Sequence, residues 1–156
     1  PINDPDFRTA SSVDFLSQVL IFTVQDSGLF FTSELADAEA YNALDIATAE
    51  SKPDNNVRVL VDNEEALFFG TKGVEGWRFN GAPVGVPLTR SSTNLGYGLA
   101  GRLAVCQIDN TVAWLDHQRM VRTLRDSSPL AIADPSITTA IAAGVGASTS
   151  GLRRSS

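Results

Sequence analysis

A chain of 156 residues with a formal charge of −6 and a pI near 4.6 is one domain with extensions, or two very small domains, and it lacks the basic balance of a nucleic-acid binder. Hydrophobic content of 43% supports a packed core and excludes wholesale disorder. One cysteine and one histidine exclude an internal disulfide and leave too few ligands for an ordinary zinc site.

The opening "PINDPDFRTA" carries two prolines after no initiator Met, has no basic or apolar leader pattern, and shows no periodicity. Pro1 is a residue that Met removal exposes, so the expectation is a complete mature chain whose residues 1–10 form an extended arm. "SSVDFLSQ" offers a Ser cap and reads as one helical turn leading into a strand. The longest apolar run, "VLIFTV", falls far short of the roughly 20 residues that cross a bilayer, so a soluble chain is expected.

One phrase then recurs: "VLIFTVQDSGLFFT" (Val19 to Thr32), "VRVLVDNEEALFFG" (Val57 to Gly70) and "RLAVCQIDNTVAWLD" (Arg102 to Asp116). Each reads as a β-hairpin, turning at Asp26-Ser27-Gly28, at Asp62 to Glu65 and at Asp109 to Thr111. Asp and Asn suit these turns because their side chains bond the local backbone, and Gly28 offers a positive φ. A fourth hairpin, "GWRFNGAPVGV", is expected to turn on Asn80-Gly81. The turn residues Asp26, Asp62 and Asp109 are unevenly spaced, which argues against a regular solenoid or propeller.

Between the first two hairpins, "SELADAEAYNALDIATAES" is rich in Ala, Glu and Leu and lacks Gly and Pro. It reads as a helix over Ser33–Ser51, ended by Pro53, with Leu35, Ala38, Tyr41, Leu44 and Ile46 on its buried stripe. "PLTRSSTNLGYGLAG" reads as a long loop. "DHQRMVRTLRD" reads as a second helix, with Met120, Val121 and Leu124 on one side and Arg119, Arg122 and Arg125 down another. The tail "LAIADPSITTAIAAGVGASTSGLRRSS" is too weakly amphipathic for a free-standing helix and is expected to pack against a neighbour. The resulting division is an arm at residues 1–10, a core at 11–134 and a tail at 135–156.

Motifs of chemistry are thin. "GYGLAG" (Gly96 to Gly101) matches G-x-G-x-x-G but lacks the preceding strand and following crossover helix that seat a pyrophosphate, so a flexible glycine loop is the better reading. Asp116-His117 is the one base with an adjacent carboxylate, yet sequence neighbours rarely face each other on a helix. Asp62, Glu64 and Glu65 lack the spacing of a calcium loop and read as a solvated tip. Cys106, in "LAVCQI", reads as a buried thiol. Trp77 and Trp114, with Phe30, Phe31, Phe68 and Phe69, read as core or interface aromatics. The Arg119, Arg122 and Arg125 stripe suits carboxylates of a neighbouring subunit. No catalytic residue, cofactor site or metal site is assigned; Arg119, Arg122, Arg125, Trp77 and Trp114 stand as candidate interface residues.

The hairpins "VQDSGLFF" and "VDNEEALFFG", followed by "GWRFNGAPVG", resemble segments of tailed-bacteriophage virion proteins of the decoration, head-fibre and tail-fibre type, over residues 19–86. The resemblance implies a non-enzymatic structural protein of the virion, acting through contacts with copies of itself and with other virion proteins, without nucleic acid or membrane. The fold class expected is α+β, mainly β: several short antiparallel hairpins, two helices and extended terminal arms. Two other readings compete, a carbohydrate- or ligand-binding β module and a small hydrolase using His117.

Overall fold

The computed structural model describes residues 2–49, 54–125 and 127–147. Among the described residues, twelve strands form three four-stranded antiparallel sheets, each from consecutive strands in meander order. Sheet I holds β1 (Ala10–Leu16), β2 (Val19–Val24), β3 (Leu29–Glu34) and β4 (Asp37–Thr48). Sheet II holds β5 (Asn56–Asp62), β6 (Glu65–Gly70), β7 (Val74–Phe79) and β8 (Leu88–Leu95). Sheet III holds β9 (Val105–Ile108), β10 (Thr111–Leu115), β11 (Val121–Arg125) and β12 (Ser128–Ala131). A helix, α1 (Pro135–Ala147), follows.

The sheets stack face to face in chain order. Leu16, Val19, Ile21 and Phe30 of sheet I pack on Val59, Ala66, Phe68 and Trp77 of sheet II. Leu60, Leu67, Phe69 and Val74 on the other face of sheet II pack on Val105, Val112 and Trp114 of sheet III. First strands sit side by side: β1 lies against β5, and β9 is tied to β5 by the Gln107 Nε2 bond to the Val61 carbonyl at 2.7 Å. Consecutive four-stranded meanders stacked this way are the blades of a β-propeller.

The repeat behind this arrangement is more regular than the hairpin turns suggest. The turn between first and second strands falls at Ser17, Asn63 and Asp109, each with positive φ and each 46 positions after the last (63 less 17, 109 less 63). That period suits one propeller blade. The uneven spacing arises because "VLIFTVQDSGLFFT" spans β2 and β3, whereas the other two phrases span the first and second strands of their sheets. The argument against a propeller is therefore overturned. Val13, Val59 and Val105 are equivalent under this repeat, as are Leu20, Ala66 and Val112, and Phe22, Phe68 and Trp114.

Both expected helices are strands. The Ala-rich segment forms β4, because β3 presents a ladder of unpaired backbone groups that Ala47, Ile46 and Tyr41 complete; tertiary pairing overrides helix propensity. The expected terminator Pro53 lies outside the described residues. "SSVDFLSQ" is likewise strand β1 and its turn. In "DHQRMVRTLRD", Asp116 captures the N–H groups of Gln118 and Met120 at 2.8 Å each, making a turn that leads into β11. The helix lies instead in the tail, capped by Asp134, whose carboxylate accepts the Ser136 N–H and hydroxyl. Those two bonds hold the Asp134 carboxyl below its ordinary range. Residues 148–156 of the tail lie outside the described residues.

Two turns also differ from expectation. Asp26, rather than Gly28, takes the positive φ of the β2–β3 turn. β7 and β8 are joined by an eight-residue loop closed by the Asn80 N–H bond to Pro87, not by a two-residue turn, although Gly81 does sit at φ +66°.

Candidate functional site

The residues that suggested chemistry serve the packing. Gly98 is pressed so closely on the β6–β7 turn that a Cβ there would collide with the Lys72 nitrogen. The Leu99 N–H bonds Gly70, and the His117 N–H bonds Gly98. "GYGLAG" is thus a packed connector rather than a flexible loop. His117 is exposed. Among the described residues no group of three or more His, Cys, Asp or Glu could hold a metal ion.

Apart from the Thr32 hydroxyl, the buried side-chain polar groups among the described residues have partners. Asp116 is fully buried and pairs with Arg122, whose guanidinium lies 3.5 Å from the centre of the Tyr97 ring. Asp54 accepts the N–H groups of Thr71, Lys72 and Gly73 and the Thr71 hydroxyl. Glu75 pairs with Arg90 at 2.8 Å and accepts the Trp77 indole N–H. Burial, with the Glu34 charge, raises the Asp45 carboxyl above its ordinary value against the Gly85 N–H that lowers it. Burial and the carboxylates of Asp4, Asp37 and Glu39 raise the Tyr41 phenol. A cleft of about 360 Å³ between sheets II and III is walled by Asp62, Glu65, Arg78 and Arg125 together with Leu67 and Leu124, so it mixes both charges with apolar side chains.

The five candidate interface residues are dispersed. Trp77 and Trp114 are buried between sheets. Arg122 is buried against Asp116, while Arg119 and Arg125 are exposed. With no helix there, the three arginines share no stripe: Arg119 lies in the turn, and strand alternation sets Arg122 and Arg125 on opposite faces of β11. Cys106 is exposed, not buried, because β9 turns it away from sheet II.

The two outermost sheet faces expose apolar side chains. Val59 and Val105, each facing the preceding sheet, are 2% and 6% exposed; their equivalent Val13 is 53% exposed, with Phe15 beside it at 55%. Cross-strand pairing puts Val13 on the same face as Phe22, and Phe15 with Leu20. The outer half of this face is covered by Phe7, which packs edge-on against Phe22, Phe31 and Tyr41 with ring centres 5.0–5.6 Å apart. At the other end, Cys106, Ala113, Thr123 and Leu130 of sheet III share one cross-strand row beside Ile108, with Cys106 and Leu130 exposed and Ala113 buried. Ile108 is 48% exposed, whereas its equivalent Leu16 is 3% exposed between sheets I and II. Sequence reading missed these faces because it read the hairpins singly, without the repeat that makes Val13 and Ile108 stand out.

A family model described as "Bacteriophage P22 Gp10, beta-propeller" matches residues 2–145. No curated protein matches the chain.

Proposed function

We propose that this chain, which belongs to the bacteriophage P22 Gp10 family and is a structural protein of the phage virion, acts there without catalysis, as a decoration, head-fibre or tail component working through its sheet faces. The observation that carries this reading is the contrast between sealed and open joints. Val13, whose equivalents Val59 and Val105 are buried at the two internal joints, is exposed on the outer face of sheet I, and Ile108, whose equivalent Leu16 is buried at the first joint, is exposed on sheet III; exposed apolar surface of that kind marks an interaction site. Partners are copies of itself and other virion proteins rather than nucleic acid, consistent with the charge of −6. No described helix is long and apolar enough to cross a membrane. The segment after Asp134 acts as an arm, whereas the opening segment, with Phe7 on sheet I and Asp4 and Asp6 bonded to β4, belongs to the body.

The hydrolase reading loses support from an exposed His117. A carbohydrate platform loses it from the burial of both tryptophans. The test is complementation of a phage lacking the chain. Particles purified with it should carry it at a fixed copy number, and His117→Ala should restore infectivity fully. Normal particles without the chain, or failure of His117→Ala with the protein still folded and incorporated, would overturn the reading.

A further inference from the structure

Charge is distributed unevenly along the joint between sheets II and III. At one end of it the β6–β7 turn, the connector from β8 to β9 and the β10–β11 turn come together, and there Lys72, Arg102, His117 and Arg119 are exposed and Arg58 is half-buried. We propose that this end docks a carboxylate-rich surface of another virion protein, held by the charged groups of Arg58, Lys72, Arg102 and Arg119. The proposal goes beyond the sheet faces and rests only on the chain's place in the virion. Both walls belong to an internal joint, so the surface is independent of what lies beside sheets I and III.

The cations form one continuous surface. Arg58 Nη1 donates to the Arg102 carbonyl at 3.4 Å. The connector that carries Arg102 is pressed at Gly98 onto the turn that carries Lys72, and the Gly98 carbonyl accepts the His117 N–H at 2.9 Å. Arg119 follows in that same turn, its N–H bonded to the Asp116 carbonyl. The described carboxylates of sheets II and III at this end are already engaged. Asp54 accepts the N–H groups of Thr71, Lys72 and Gly73 and the Thr71 hydroxyl. Asp116 is buried and accepts from Arg122, Gln118 and Met120. Among the described residues the ion pairs are Arg78–Glu65, Arg90–Glu75 and Arg122–Asp116, so Arg58, Lys72, Arg102 and Arg119 have none. Nor does the fold require these charges: 46 positions earlier, Arg58, Lys72 and Arg102 are answered by Ser12, Asp26 and Asn56. An uncompensated basic end on a chain of charge −6 steers an acidic partner to one orientation, and guanidinium forks match carboxylates. Duplex DNA is a poorer fit, because its dense phosphates meet the repulsion of the whole chain. A second copy is poorer as well: at the opposite end of this joint Asp62 and Glu65 are buried, with Arg78 and Arg125 beside them.

The test is binding of the purified chain to particles from a phage that lacks it. Binding should weaken as salt rises. Lys72→Glu/Arg102→Glu changes two exposed side chains, so its circular dichroism should match the parent while it binds these particles at least about tenfold more weakly. The milder Lys72→Gln/Arg102→Gln should lose less, in the same direction. Glu64→Lys, at the opposite end, should bind as wild type, and duplex DNA should not compete. Unchanged binding by folded Lys72→Glu/Arg102→Glu, an equal loss with Glu64→Lys, or competition by duplex DNA would each overturn the inference. Self-association of the isolated chain that Lys72→Glu/Arg102→Glu abolishes would overturn it too, by making the partner a second copy. Loss in Lys72→Glu/Arg102→Glu with Val13→Arg still bound would uphold this surface and refute the sheet faces. The reverse pattern would refute this surface and leave the sheet faces standing.

Discussion

The Asp14 carboxylate of β1 accepts the backbone N–H of Val61 on β5 at 2.7 Å, binding the first strand of one sheet to the first strand of the next. Two positions earlier the Ser12 hydroxyl accepts the Val59 N–H at 2.9 Å. The exposed edge of β5 is thereby satisfied by side chains of the neighbouring sheet, which both aligns the sheets and protects an edge that would otherwise seek a strand.

Asp14→Ala should destabilise the fold by about 1–3 kcal/mol, because it leaves the Val61 N–H without its acceptor. Urea denaturation checks this. Asp14→Asn, which retains an acceptor oxygen, should recover part of the loss. If Asp14→Ala is neutral, the joint does not depend on this bond.

Asp116→Ala should be far more damaging, by about 3–5 kcal/mol, since it strands the buried Arg122 guanidinium and frees the N–H groups of Gln118 and Met120. Replacing both partners by apolar residues should not restore stability fully, because the two turn N–H groups still lack an acceptor. A double variant as stable as wild type would show that the ion pair alone matters.

Thr32→Val should be neutral or stabilising by about 1 kcal/mol. The Thr32 hydroxyl is buried without a hydrogen-bond partner among the described residues, and replacing an unsatisfied polar group by a methyl of similar shape removes a desolvation penalty. A clear fall in melting temperature would reveal a bound water or other partner for it.

Asp45 sets a pH signature. Its folded-state value lies above the ordinary 3.8, so the folded protein holds this proton more tightly than the unfolded chain. Its contribution is most favourable below the unfolded value and is lost as pH rises through the folded one. Asp45→Asn should therefore reduce the decline in stability just above pH 3.8. Variant and parent curves that stay parallel there would contradict the assignment.

Much of the β character was legible in the sequence: alternating apolar runs and Asn or Asp at turns located β5, β6, β9 and β10. Helix propensity misled at Asp37–Thr48, where a strand edge needed a partner and the carboxylates of Asp4 and Asp6 reach back to the Tyr41 and Ala43 N–H groups. Arginines at i, i+3 and i+6 imitated a helical stripe, yet Arg122 answers a buried carboxylate six residues away through a turn no periodicity encodes. The repeat was visible but misregistered by one strand in sheet I. That slip hid both the propeller spacing and the exposed Val13 and Phe15.

The central claim is that the two outer sheet faces carry the chain's role in the virion, and particle incorporation of Val13→Arg and Phe15→Arg tests it most directly. Both positions are exposed, so melting temperatures should stay within a few degrees of the parent. Occupancy on purified particles should collapse for both variants. Wild-type occupancy with these charges in place would contradict the account and move the contact surface elsewhere.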